Sequence, residues 1–126
     1  MKLKELLMTD SSYYTVYKFL PWTNAKEQSK MTLMSMLIDA DSFASNRLQN
    51  DRDYFQCTNN FIKGVYKANW SRNTLDAYFN ELEEEGYIFI KKVSTEGANY
   101  PVRCVKLNNQ KLTDMYKEFN MCQNLK

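Results

Sequence analysis

Apolar residues along this chain recur in helical rhythm in some stretches and in alternation in others, and the switches between the two mark out its elements. Leu3, Leu6 and Leu7 suggest a short helix over Lys2 to Met8, ended by the turn-prone Thr9-Asp10-Ser11-Ser12. Tyr13 to Leu20 is aromatic and β-branched, and Pro21 stops it. This pattern predicts an extended or irregular arm laid against the core. Thr23 or Asn24 can then cap a helix, with Glu27 close behind. Met31, Leu33, Met34, Leu37 and Ile38 follow at helical spacing, so the pattern predicts a strongly amphipathic helix over about 25–40. Residues 41–53 are polar and turn-rich and read as a loop, and Tyr54 to Cys57 as a very short strand.

Thr58 is placed to cap a second helix, about 59–68, whose apolar face is Phe61, Ile62, Val65 and Tyr66. Asn69-Trp70 breaks that pattern. Ser71 opens a third helix with Leu75, Tyr78, Phe79 and Leu82 on one side, and Gly86 stands where a left-handed residue would end it. Tyr87 to Val93 reads as a strand, Ser94 to Asn99 with Gly97 as a hairpin tip, and Tyr100 to Leu107 as the returning strand. Pro101 lies near the start of that strand, where a missing donor is tolerable. Leu112, Met115, Tyr116, Phe119 and Cys122 form one stripe of a closing helix over Asn109 to Asn124.

The expected class is therefore α+β and mostly α. It divides into an arm (1–24), a central domain (25–108) and a C-terminal helix (109–126) used for packing or dimerisation. A chain of 126 residues has room for one core of ordinary composition. No apolar run reaches membrane-spanning length and the charged N-terminus does not resemble a secretory leader, so a soluble, cytoplasmic protein is expected. Cys57, Cys104 and Cys122 are widely spaced in apolar segments and read as small buried hydrophobes of a reducing compartment. With no histidine, no paired cysteines and three isolated glycines, the sequence offers neither a zinc site, nor a His-dependent triad, nor a phosphate loop. The expectation is a protein that is not an enzyme and requires no cofactor or metal.

Charge adds a second pattern. Up to residue 57 acids and bases cancel. Lys63, Lys67 and Arg72 then come without an acid, Asp76, Glu81, Glu83, Glu84 and Glu85 without a base, and Lys91, Lys92, Arg103 and Lys106 against Glu96 alone. Two basic segments bracket one acidic stretch. Function turns on whether folding unites the basic segments.

The order helix, short strand, helix, tight turn, helix, hairpin matches a winged helix-turn-helix with a two-stranded wing. Ser71-Arg-Asn-Thr through Leu82-Glu-Glu-Glu-Gly86-Tyr-Ile88 resembles the Ser-Arg-x-Thr … Leu-Glu-x-x-Gly-Tyr/Leu-Ile stretch of winged-helix DNA-binding regulators and replication initiators. Asp10 to Trp22, the spacing of Lys30, Leu33 and Leu37, and Gly86 to Lys91 look similar to plasmid and phage initiators, although the tyrosine of their first helix has no match here. The resemblance implies sequence-specific binding of double-stranded DNA, as a transcriptional regulator or a replication-origin-binding protein of a bacterium or its mobile elements. It also admits a homodimer through the terminal segments.

In such a domain Arg72, Asn73, Asp76, Ala77 and Asn80 would face the major groove, where Arg pairs with guanine, Asn with adenine, and Ala touches a thymine methyl. Lys63, Lys67, Lys91, Lys92 and Arg103 would meet phosphates, with support from Thr58, Asn59, Ser71, Ser94, Thr95 and Asn99. Asp76 would repel phosphate unless it orients Arg72 at the i+4 spacing. A competing expectation is a winged-helix module that binds protein, through the methionine-rich helix or the acidic end of the third helix.

Overall fold

The structure is a computed structural model that describes residues 16–94, 97 and 99–124. The helix expected at 2–8, the first part of the arm and Thr95 lie outside the described residues. About half of the described residues are helical. Four helices, α1 (Ala25–Phe43), α2 (Asn59–Tyr66), α3 (Arg72–Glu84) and α4 (Asn109–Asn124), accompany the strands β1 (Phe55–Gln56), β2 (Ile88–Val93) and β3 (Val102–Leu107). The class is α+β, as the patterning implied.

Caps fix the helix starts where the sequence offered them. Asn24 Oδ1 accepts from the Glu27 N–H at 3.0 Å, Thr58 Oγ1 from Phe61 at 3.1 Å and Ser71 Oγ from Thr74 at 3.2 Å. α3 ends in a Schellman turn: the Tyr87 N–H donates to the Leu82 carbonyl at 2.9 Å and the Gly86 N–H to the Glu83 carbonyl at 3.0 Å. Gly86 has φ +83°, and an added Cβ would meet only the Lys111 side chain at 3.9 Å. The obstacle to a side chain there is backbone conformation alone. Gly86→Ala is accordingly expected to lower stability by about 1–2 kcal/mol, read from the shift in urea midpoint, with no steric addition.

α2 stops two residues before the expected end because Lys67 turns left-handed at φ 56°. α1 runs three residues past its expected end, to Phe43. It also differs in character from the expectation. Lys30, Met31, Leu33, Met34, Ser35, Met36, Leu37 and Ala40 are all buried, so α1 is enclosed around most of its girth. Lys30 and Ser35 on its polar-looking side are covered, while Lys26, Gln28 and Ser42 stay exposed. The core gathers around it from every other element, with Phe55, Ile62, Leu75, Phe79, Leu82 and Val105 fully buried.

The sheet has the order β1-β3-β2 and is antiparallel throughout. β2 and β3 pair from Ile88↔Leu107 to Val93↔Val102, while Phe55 and Gln56 sit opposite Val105 and Cys104. The described end of the arm is irregular but anchored. Leu20 is buried, the Trp22 indole donates to the Tyr17 carbonyl at 2.8 Å, and Phe19 meets Tyr116 of α4 edge-on at 5.8 Å. Cys57 and Cys104 are buried free thiols, and burial pushes Cys57 up to about 12. No helix among the described residues is long and apolar enough to cross a membrane.

Candidate functional site

α2, α3 and the β2–β3 hairpin enclose an open groove of about 710 Å³. Thr58, Asn59, Asn60 and Lys63 line one side, and Arg72, Asp76 and Asn80 another. The hairpin closes the third side with Ile90, Lys92 and the run Asn99 to Arg103. Thr58, Asn59, Lys63, Arg72, Asp76, Asn80, Lys92, Asn99 and Arg103 were all expected as site residues, and folding brings them to one place. Successive turns of α3 supply Arg72, Asp76 and Asn80, which share a face at the i, i+4 spacing of a helix. The adjacent face of α3 carries Leu75, Phe79 and Leu82 into the core.

The charges in the groove are not equivalent. Arg103 Nη2 donates to Asp76 Oδ1 at 2.8 Å, Arg103 Nη1 donates to Asn59 Oδ1 at 2.7 Å, and Asn59 Nδ2 donates to Asp76 Oδ1 at 2.8 Å. The guanidinium also lies 4.0 Å from the centre of the Phe79 ring, and its side chain is only 15% exposed. Asp76 therefore pairs with Arg103 across the groove floor, not with Arg72 one helical turn away. The planar fork of Arg103 reaches carboxylate and amide together, which a flexible neighbour in the same helix does not match. Hydrogen bonding from Asn59 lowers the Asp76 carboxyl against the opposing effect of burial, with help from Arg103 and from the charge of Arg72. That contribution to stability is in place above the ordinary value of 3.8 and is lost as pH falls through the lower folded-state value.

With Asp76 neutralised by Arg103, three cations remain to face the groove. Lys63 on α2, Arg72 on α3 and Lys92 on β2 form no ion pair among the described residues. Asn80, Asn99, Arg72 and Lys92 are exposed. An excess of three positive charges, rimmed by amide groups, is suited to a chain of anions.

The remaining expected residues lie elsewhere. Asn73 and Ala77 are exposed on the outer side of α3, beyond the groove lining, and Ser71 is spent as a cap that also donates to Thr74 Oγ1 at 2.9 Å. Lys67 is exposed at the turn after α2. Lys91 departs from Lys92: its ammonium sits 4.6 Å from the centre of the Tyr54 ring, beside Ser94 in a separate hollow lined by Leu48 to Asp51. Consecutive strand residues point to opposite faces, so the two lysines cannot serve one groove.

The acidic end of α3 is also engaged. Lys30 is 1% exposed and binds Glu85 and Glu27, while Lys26 reaches Glu81 at 3.6 Å. Glu83 Oε2 accepts from the Ile90 N–H at 2.8 Å. Burial disfavours the Lys30 charge, but hydrogen bonds and attraction from Glu85 and Glu27 outweigh it, and the ammonium is held above its ordinary 10.5.

Sequence reasoning missed Asn60 and Tyr100 in the groove. Asn60 follows a capping Thr58 and carries no apolar signal. Tyr100 had one: an aromatic just before Pro101, at the edge of a polar tip, with no strand partner to bury it. Among the described residues no group of acidic or cysteine side chains is arranged to hold a metal ion. Comparison with known proteins identifies no relative: no family model, curated protein or solved structure matches the sequence significantly.

Proposed function

We propose that this chain is a winged-helix protein that binds double-stranded DNA, with α3 as the recognition helix and the β2–β3 hairpin as the wing. The element order and the three-stranded antiparallel sheet support that fold. The observation that carries the function is the groove, where cations from three separate elements, in no ion pair among the described residues, face one open concavity. A DNA backbone passing between helix and wing would meet Lys63, Arg72 and Lys92 together, leaving Asn73, Ala77 and Asn80 to reach base edges. The role that goes with this, from the sequence resemblance, is a transcriptional regulator or origin-binding protein.

The adaptor reading has less surface to draw on. Met31, Met34 and Met36 are core residues, and Glu81 and Glu85 are held by Lys26 and Lys30. The methionine set is buried and those two acids are engaged in ion pairs, while Glu84 at the same helix end is exposed.

The test is a titration of labelled duplex at several salt concentrations, followed by selection of bound duplexes from a random pool. Three phosphate contacts imply that log affinity falls with log salt at a slope of about −3, and sequence-specific binding implies enrichment of one motif. An enriched inverted repeat would report two copies bound side by side. Failure to bind any duplex at low salt would sink the DNA reading.

A further inference from the structure

Tyr100 is 81% exposed, the highest value among the exposed large hydrophobics, yet it borders the same groove as Arg72 and Lys92. A single exposed aromatic is unremarkable on most surfaces. This one is distinguished by its support and its neighbours. Pro101 confines the Tyr100 backbone to extended conformations, and β3 begins immediately afterwards at Val102, so the ring stands on a stiffened base. The groove beside it holds three cations in no ion pair among the described residues and, at Asn99 and Asn80, hydrogen-bonding amides.

In a duplex the base faces are stacked and their edges are polar. The apolar surface next to the phosphates belongs to the C–H faces of the deoxyriboses. An aromatic ring placed beside phosphate-binding cations therefore meets sugar. We propose that Tyr100 packs against the deoxyribose of the strand whose phosphates enter the groove, as a contact indifferent to base sequence. This inference rests on the DNA-binding reading and adds to it a residue that neither charge nor base-pairing chemistry would select.

The test uses the full chain with Tyr100→Ala and Tyr100→Phe, measured on a selected duplex and on a random one. Loss of the apolar contact should weaken binding by about five- to tenfold on both duplexes. The phenylalanine variant should stay within about twofold of the parent, because the ring provides the contact. The salt slope should not change with Tyr100→Ala, whereas Lys92→Ala should lower it by about one. The melting temperature should stay that of the parent, since the ring is exposed. Parental affinity in Tyr100→Ala overturns the inference while leaving DNA binding intact. So does a loss confined to one sequence, a loss equal in Tyr100→Phe, or a loss seen with single strands but not duplexes. A parent chain that binds no duplex removes the DNA reading and this contact together.

Discussion

Lys30→Ala is expected to lower the free energy of unfolding by about 2–3 kcal/mol, on the lower side of what breaking a buried ion pair costs. The Lys30 side chain, on α1, is 1% exposed, and its ammonium has Glu27 Oε2 at 3.1 Å, Glu81 Oε1 at 4.0 Å, and Glu85 in closest contact. Without it, three carboxylates face one another beside the C-terminal end of α3, where the helix dipole already disfavours negative charge. Those carboxylates are 28–40% exposed and regain water when the lysine is removed, which holds the cost below that of a fully buried pair. Lys30→Met separates charge from packing by keeping the apolar stem. A methionine variant as stable as the parent would show that the stem, not the charge, matters.

The sign of the pH dependence is fixed by the raised folded-state value. The lysine contributes fully below 10.5, and its advantage over methionine closes only as pH climbs beyond that. Urea midpoints from pH 7 to pH 11, with unchanged slopes, would measure this.

Arg72→Ala is expected to reduce affinity for a selected duplex by about tenfold and to lower the salt slope by about one, through one lost phosphate contact and its released counterion. The fold should not suffer. Arg72 is exposed and forms no ion pair among the described residues, and a cation in the first turn of α3 opposes the helix dipole. Removing it should leave stability unchanged or raise it by a few tenths of a kcal/mol. Anisotropy titrations paired with thermal melts separate the two effects. Unchanged affinity with an unchanged melt would exclude the N-terminal turn of α3 from the contact.

The elements were legible in the sequence because their signals are local. Asn24, Thr58 and Ser71 each sit next to the helix they cap, and Gly86 next to the helix it ends. What the sequence hid was set by packing between distant parts. Lys30 meets Glu85 across 55 residues of chain, and Arg103 meets Asp76 across 27. Spacing rules reach about one helical turn, so they offered Arg72 as the partner of Asp76 and gave no sign that Lys30 is buried. The enclosure of α1 was hidden for the same reason, since Leu20 and Leu112, from segments at either end of the chain, join its core cluster. The parting of Lys91 from Lys92 was different. Strand alternation implied it, and grouping the lysines by charge overlooked it.

The Glu83 carboxylate against the Ile90 N–H also bears on the free edge of the sheet. β2 has a partner on one side only, and an unpaired strand flank is a template on which another molecule can extend the sheet. Glu83 occupies one outward donor of that flank, and Lys91 and Lys92 place like charges along it, so a second β2 approaching edge to edge finds a blocked position and electrostatic repulsion. With Glu83 in place, this edge is a poor template for extending the sheet.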